Sequence, residues 1–154
     1  MSIEARLQEL NIELPSPPPL GGVYQSVVIV GNMAYVSGHG PLQSDGTYIT
    51  GRVGKDLDLT GGQAAARQTG LALLATVQKH LGSLDRVKRL VKSLAWVNCT
   101  DDFYEQPKVI NGYSELMREV FGDEAGVGAR SAIGTNVLPG NIPVEIEIAL
   151  EIEP

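Results

Sequence analysis

The sequence predicts an α+β fold: one sheet with two long helices on a single face. Strand-like runs come in pairs towards both ends of the chain, and two long stretches, 60–81 and 102–121, have helical periodicity. The resulting order, α-ββ-(β)-α-β-α-ββ, alternates strand runs with single helices, as expected of a helix layer on a sheet. The second sheet face must then be solvated or covered, and an oligomer would cover it.

Residues 3–10 place Ile3, Leu7 and Leu10 at helical spacing, with Ser2 as the N-cap. "PSPPPLGG" stops that helix, because proline fixes φ and lacks an N–H donor, and a stiff polyproline connector is expected. The chain divides here into an N-terminal helix and proline-rich segment, 1–20, and a single domain, 21–154. Residues 23–30 and 33–38 read as strands joined by a tight turn at Gly31–Asn32. The glycine-rich run after them reads as a loop, with a short strand at 47–50.

From Thr60 to Leu81 a stripe of Leu71, Leu74, Val77 and Leu81 predicts a helix. Ala64–Ala66 let it lie close to a sheet, and Gly82 ends it. Residues 88–98 alternate as a strand. Asp101 and Asp102 are then expected to cap a helix whose buried stripe is Val109, Ile110, Tyr113, Leu116, Met117, Val120 and Phe121, with Pro107 in its first turn. The last two strands, near 129–137 and 142–152, flank "LPGN", whose Pro-Gly is turn chemistry. A tight hairpin there would pair position 145 near 134. Arg130 and Glu145 would then stand roughly 13 Å apart along the strand, and meet only where different chains share a cleft.

At 154 residues the chain is long enough for one core of its own, and 43% hydrophobic with 19% charged residues is ordinary for a folded protein. A net charge of −6 argues against binding nucleic acid by broad phosphate neutralisation. Cys99 stands alone, so no internal disulfide forms and nothing points to an oxidising compartment. No apolar run approaches the ~20 residues of a membrane span, and the acidic N-terminus is unlike a signal peptide. A cytoplasmic protein is expected.

His39 and His80 lie far apart in sequence with no thiol or carboxylate at ligand spacing, so no metal site is expected. His80 falls at a helix end, where a cation suits the dipole. No glycine pattern fits a dinucleotide or P-loop motif. The cluster Arg86, Lys88, Arg89 and Lys92 reads as a solvated strand edge. Glu145, taken alone, is one of several carboxylates on an outer face with Glu147 and Glu151. Arg130 shares its face with Gly128, Ala132, Gly134 and Asn136, a floor of small side chains that would leave a cavity. A guanidinium there could grip a carboxylate at two points. From pattern alone, surface charge and ligand site both stay open.

Three stretches extend the reading: "VYQSVVIVGNMAYVSGHGP", "NCTDDF" and "ARSAIGTNVLPGNIPVEIEI". In this order, over the last ~130 residues, they resemble the Rid family (RidA or YjgF type, reactive intermediate deaminases, also called L-PSP endoribonucleases). The N-terminal helix and proline run lie outside that pattern and imply a divergent branch. The resemblance implies a fold similar to bacterial chorismate mutase: a six-stranded sheet backed by two helices, with three chains closing a central β-barrel and clefts between subunits. It implies hydrolysis of short enamines and imines, such as 2-aminoacrylate, to 2-oxo acids and ammonia, with no cofactor.

Position by position, Arg130 matches the arginine that binds the substrate carboxylate, and Glu145 the glutamate that orients or activates water. Tyr24 and Ser37 match pocket residues, and Gly38 a glycine whose backbone meets the substrate. Ala132 stands where cysteine is common, His39 where glutamine is common, and Val23 where a proline precedes the tyrosine. These departures leave a non-catalytic carboxylate-binding or regulatory trimer as the alternative. Cleavage of RNA is the weakest reading, given the acidic charge and the lack of paired histidines.

Overall fold

Ser2 opens the first helix, its hydroxyl accepting the Ala5 N–H at 3.1 Å, and α1 (Ile3–Glu9) follows. The structure, a computed structural model, describes all residues from Met1 to Pro154. Leu7 carries α1 into the common core, and Arg6 Nε donates to the Glu119 carbonyl at 3.0 Å. The proline run then lies along the end of the second helix, where Pro17–Leu20 face Thr76, Lys79 and His80.

β1 (Val27–Val30) and β2 (Met33–His39) form the expected hairpin, with Gly31 at φ 61° in its turn. The first strand starts later than expected because Val23 and Tyr24 belong to a bend leaving Gly21–Gly22. No strand forms at 47–50; a single bridge links Leu42 and Tyr48. Helix α2 (Leu59–Leu81) is capped by Asp58, which accepts the Gly61 N–H at 2.8 Å, and is ended by left-handed Gly82. Next come β3 (Val87–Asn98) and α3 (Gln106–Ala125), the latter with Pro107 in its first turn. Asp101 and Asp102 do not cap α3. Its N-cap position is Glu105, without a side-chain bond, and Asp102 instead accepts from the Thr100 hydroxyl at 2.8 Å. β4 (Ala129–Thr135) and β5 (Val144–Ile152) complete the fold.

The sheet has five strands rather than six, in the order β1-β2-β5-β3-β4. The expected hairpin between the last two strands does not form. β4 pairs in parallel with β3, and β5 inserts antiparallel between β2 and β3. Residues 136–143 cross the end of β3 through a 3₁₀ turn, Pro139–Asn141, instead of reversing tightly. Asn98 Nδ2 holds that crossing by donating to the Ile142 carbonyl at 3.2 Å. The central position suits β5, whose Val144, Ile146, Ile148, Leu150 and Ile152 are all buried. β3 is interior from Lys92 onward, where β4 pairs with it, but its start has β5 alone beside it, so Lys88 and Arg89 lie on the solvated edge that was expected. Lys88 pairs with Glu151 at 3.2 Å, and Arg86 donates to the carbonyls of Leu81 and Glu153.

Both long helices lie on one face, as crossovers from β2 to β3 and from β3 to β4. They approach closely because glycines stand where they meet. A Cβ on Gly112 would overlap the Gln63 carbonyl oxygen, and one on Gly70 would lie 2.7 Å from Leu116 Cδ2. The other sheet face has no cover within the chain. Val30, Tyr35 and Ile133 are 63%, 51% and 44% exposed there, beside Val28, Leu94 and Trp96.

Candidate functional site

The alternation of β5 sends its even-numbered side chains into the core and Glu145 to the helix-free face. The register of β2 slips between Val36 and His39, and this bulge presents Ser37 and Gly38 beside Glu145. A Cβ on Gly38 would lie 2.8 Å from Glu145 Oε2, so only glycine leaves the carboxylate its place. Ser37 donates to the Gln25 carbonyl at 2.6 Å, which draws the segment bearing Tyr24 to the same spot. Tyr24, Ser37, Gly38 and Glu145 therefore line one hollow of about 630 Å³, together with Gly21, Gly40, Tyr48, Pro139, Gly140 and Ile142.

Burial raises the Glu145 carboxyl above the ordinary glutamate range, and the neighbouring charge of Glu147 adds to the effect. No cation of the chain pairs with Glu145. A carboxylate so placed is a candidate proton acceptor.

His39 is turned away from the hollow. It is buried against α2, with Nδ1 2.6 Å from the Ser37 carbonyl and Nε2 2.7 Å from Thr76 Oγ1. A carbonyl only accepts, so Nδ1 carries the proton and Thr76 donates to Nε2. Burial lowers the pKa of His39, in keeping with a neutral ring. The histidine thus ties the bulge to the helix layer and touches no ligand space. Val23 is fully exposed and does not line the hollow.

Arg130 lies elsewhere. Its strand partner is Ser93, and it reaches the helix side, where Nη1 donates to Asn111 Oδ1 at 2.9 Å and Ser114 Oγ at 3.0 Å. Nη2 donates to the Pro107 carbonyl at 3.4 Å. All three acceptors are neutral, so the full positive charge stays uncompensated, beside a smaller hollow of about 210 Å³. The floor of small residues does open onto hollows: Gly128 lines the one beside Arg130, and Gly134 and Asn136 line another of about 270 Å³, while the body of the protein packs close beneath them. A Cβ on Gly128 would meet the Leu90 carbonyl, one on Gly134 would meet Gln106 and Cys99, and Ala132 packs against the core.

The structure thus gathers Tyr24, Ser37, Gly38 and Glu145 and leaves Arg130 and Ala132 apart. Within one chain, Arg130 and Glu145 are two strands apart, roughly 10 Å, and three residues apart along the strand, again roughly 10 Å. They also emerge on opposite faces. Tyr48 and Ile142 were not foreseen as site residues. Their hollow is closed by the loop between β2 and α2, which has no periodic signal. No group of three or more histidine, cysteine or acidic side chains gathers as a metal site would require. No helix is long and apolar enough to cross a membrane.

Comparison with known proteins gives this geometry its relatives. The family model described as "YjgF/chorismate mutase-like, putative endoribonuclease" matches residues 4–150, a span that begins inside α1. Protein TCP17 of Trypanosoma cruzi is 42% identical over 150 residues, 97% of this chain and 94% of that protein. Among solved structures, Atu1372 of Agrobacterium tumefaciens, a protein of unknown function, is 39% identical with a TM-score of 0.89, covering 99% of this chain and 93% of its own. A protein of Shewanella oneidensis, described as a putative endoribonuclease, is 30% identical with a TM-score of 0.94, covering 99% and 100%. With the α+β architecture and these matches along nearly its whole length, the chain belongs to the YjgF/chorismate mutase-like family.

Proposed function

We propose that this protein is a cofactor-independent hydrolase of small enamine and imine carboxylates, assembled as a homotrimer whose clefts lie between subunits. The observation that carries the reading is Glu145. Its half-buried carboxyl, raised above the ordinary glutamate range by burial and by Glu147, stands uncompensated in a hollow with Tyr24, Ser37 and Gly38. The sheet face that the chain leaves uncovered, with Val30, Tyr35 and Ile133 exposed on it, supports assembly. Assembly would also bring Arg130 of a neighbouring copy to the cleft, which one chain alone does not do.

The chemistry follows from the residue types. An enamine first takes a proton on its terminal carbon to become the imine, whose C=N carbon is electrophilic. Arg130 grips the carboxylate at two points and so fixes the imine in near-attack geometry. Ionised Glu145 accepts a proton from water as its oxygen bonds to that carbon and the nitrogen takes up a proton. The carbinolamine then expels ammonia and becomes the 2-oxo acid as Glu145 returns its proton to the departing nitrogen. The hydroxyl proton passes to solvent, balancing the solvent proton that the imine nitrogen had taken up. Acid–base cleavage of RNA has less support, because His39 is buried against α2 and His80 bonds the Thr76 carbonyl of its own helix.

The test generates 2-aminoacrylate with a serine dehydratase and follows pyruvate release. The parent protein should hasten release, and Glu145→Gln should lower kcat about a hundredfold or more. Arg130→Ala should act chiefly through kcat/KM. A parent that leaves the spontaneous rate unchanged, or an Arg130→Ala protein as active as the parent, refutes the reading. Saturable binding of pyruvate without turnover would mark a carboxylate-binding module instead.

A further inference from the structure

The hollow over Glu145 has two chemically different ends. Glu145 meets Gly38 at a polar end, whereas Tyr48 and Ile142 meet over Gly40 at an aromatic and aliphatic one, and Tyr24 and Pro139 complete the lining. Tyr48 is brought there by the loop that follows β2. Its tip is closed by the Gln43 N–H donating to the Thr47 carbonyl at 2.8 Å, and by Asp45, which accepts from Thr47 N–H and Oγ1 at 2.9 and 2.6 Å. Its far end is pinned where the Gly51 N–H donates to the Asn141 carbonyl at 2.8 Å. Tyr48 and Ile142 close over Gly40, where a Cβ would lie 2.7 Å from Ile142 Cδ1 and 3.3 Å from Tyr48 Cε1. This wall is therefore a built feature in which Gly40, the pinned loop and the 3₁₀ turn fit one another.

Size argues in the same direction. The volume of about 630 Å³ falls in the range of ~300–1,000 Å³ typical of sites for drug-sized ligands. A three-carbon imine engaged at Glu145 would leave the tyrosine end to water. A phenyl or isobutyl group on the same imine would fill it. Burial raises the Tyr48 phenol, with Tyr24 contributing, as expected for two rings that share one partly enclosed space.

We propose that the protein acts on imines whose side chain is large and apolar or aromatic, with Tyr48 as a specificity-determining residue. This rests on the deaminase reading above and adds the substrate class. The balanced reaction is R–C(=NH)–COO⁻ + H₂O → R–CO–COO⁻ + NH₃, with R a benzyl or branched alkyl group.

The experiment generates imines from phenylalanine, leucine and alanine with an amino-acid oxidase and measures how the full-length protein accelerates 2-oxo acid formation. kcat/KM should be at least about tenfold higher for the phenylalanine and leucine imines than for the alanine imine, the scale by which apolar pockets discriminate. Tyr48→Ala should bring that ratio below about threefold, while Tyr48→Phe keeps it. Equal kcat/KM for the three imines, or a ratio that Tyr48→Ala leaves unchanged, overturns the proposal without touching the deaminase reading. Binding of phenylpyruvate against pyruvate, measured by calorimetry on the parent and on Tyr48→Ala, gives a readout independent of turnover. A protein that hydrolyses no imine refutes the deaminase reading. Phenylpyruvate bound no tighter than pyruvate, or neither bound, then overturns this proposal too.

Discussion

Glu145 shows how much a single position depends on its neighbours. Its carboxyl is raised first by burial and second by Glu147, two residues along the same face of β5. A general base works in its ionised form, so activity should climb as pH rises through the Glu145 pKa. Glu147→Gln removes the like charge and leaves the burial. The acid limb of the pH–kcat/KM profile should therefore move to lower pH while staying above that of a free glutamate, and an unmoved or upward-shifted limb contradicts the assignment. From the sequence, Glu145 was one carboxylate among several. What distinguishes it is Gly38, which leaves room for it, and that contact joins residues more than a hundred positions apart. His39 shows the same limit in reverse. The resemblance singled it out as standing where glutamine is common, yet the bulge in β2 turns it towards Thr76.

Among the elements, those with strong periodicity were legible to within a few residues: α2, β3 and β5 carry their own pattern of burial. Their arrangement was less so. "LPGN" has hairpin chemistry, but β5 gains two strand partners by crossing to the sheet centre, whereas a hairpin would have left it one. Local turn preference yields to the larger hydrogen-bonded and apolar gain. The α2–α3 contact shows which small residues matter for packing. Gly112 lies in a helix interior, where glycine costs stability relative to alanine, yet the Gln63 main chain occupies the space a side chain would need. Gly112→Ala should therefore destabilise the protein by about 1–3 kcal/mol, the typical cost of overpacking. A lower denaturant midpoint at unchanged slope would bear this out, and a midpoint equal to or above the parent's would contradict it.

At the scale of the whole molecule, one subunit would supply half of the proposed reaction centre. Tyr24, Ser37, Gly38 and Glu145 face one space, while Arg130 is tethered to α3 on the far side of the sheet. In a closed ring of three, each cleft would draw its anion grip from one copy and its proton acceptor from the next. Two individually dead proteins should then rescue each other. Arg130→Ala and Glu145→Gln chains, unfolded together in equal amounts and refolded, would randomly form mixed rings. Roughly a quarter of the clefts would pair an intact arginine with an intact glutamate. Recovery of about that share of parental turnover, absent when the two are mixed after folding without exchange, is the signature of a site divided between copies; no recovery would mean that each chain works alone.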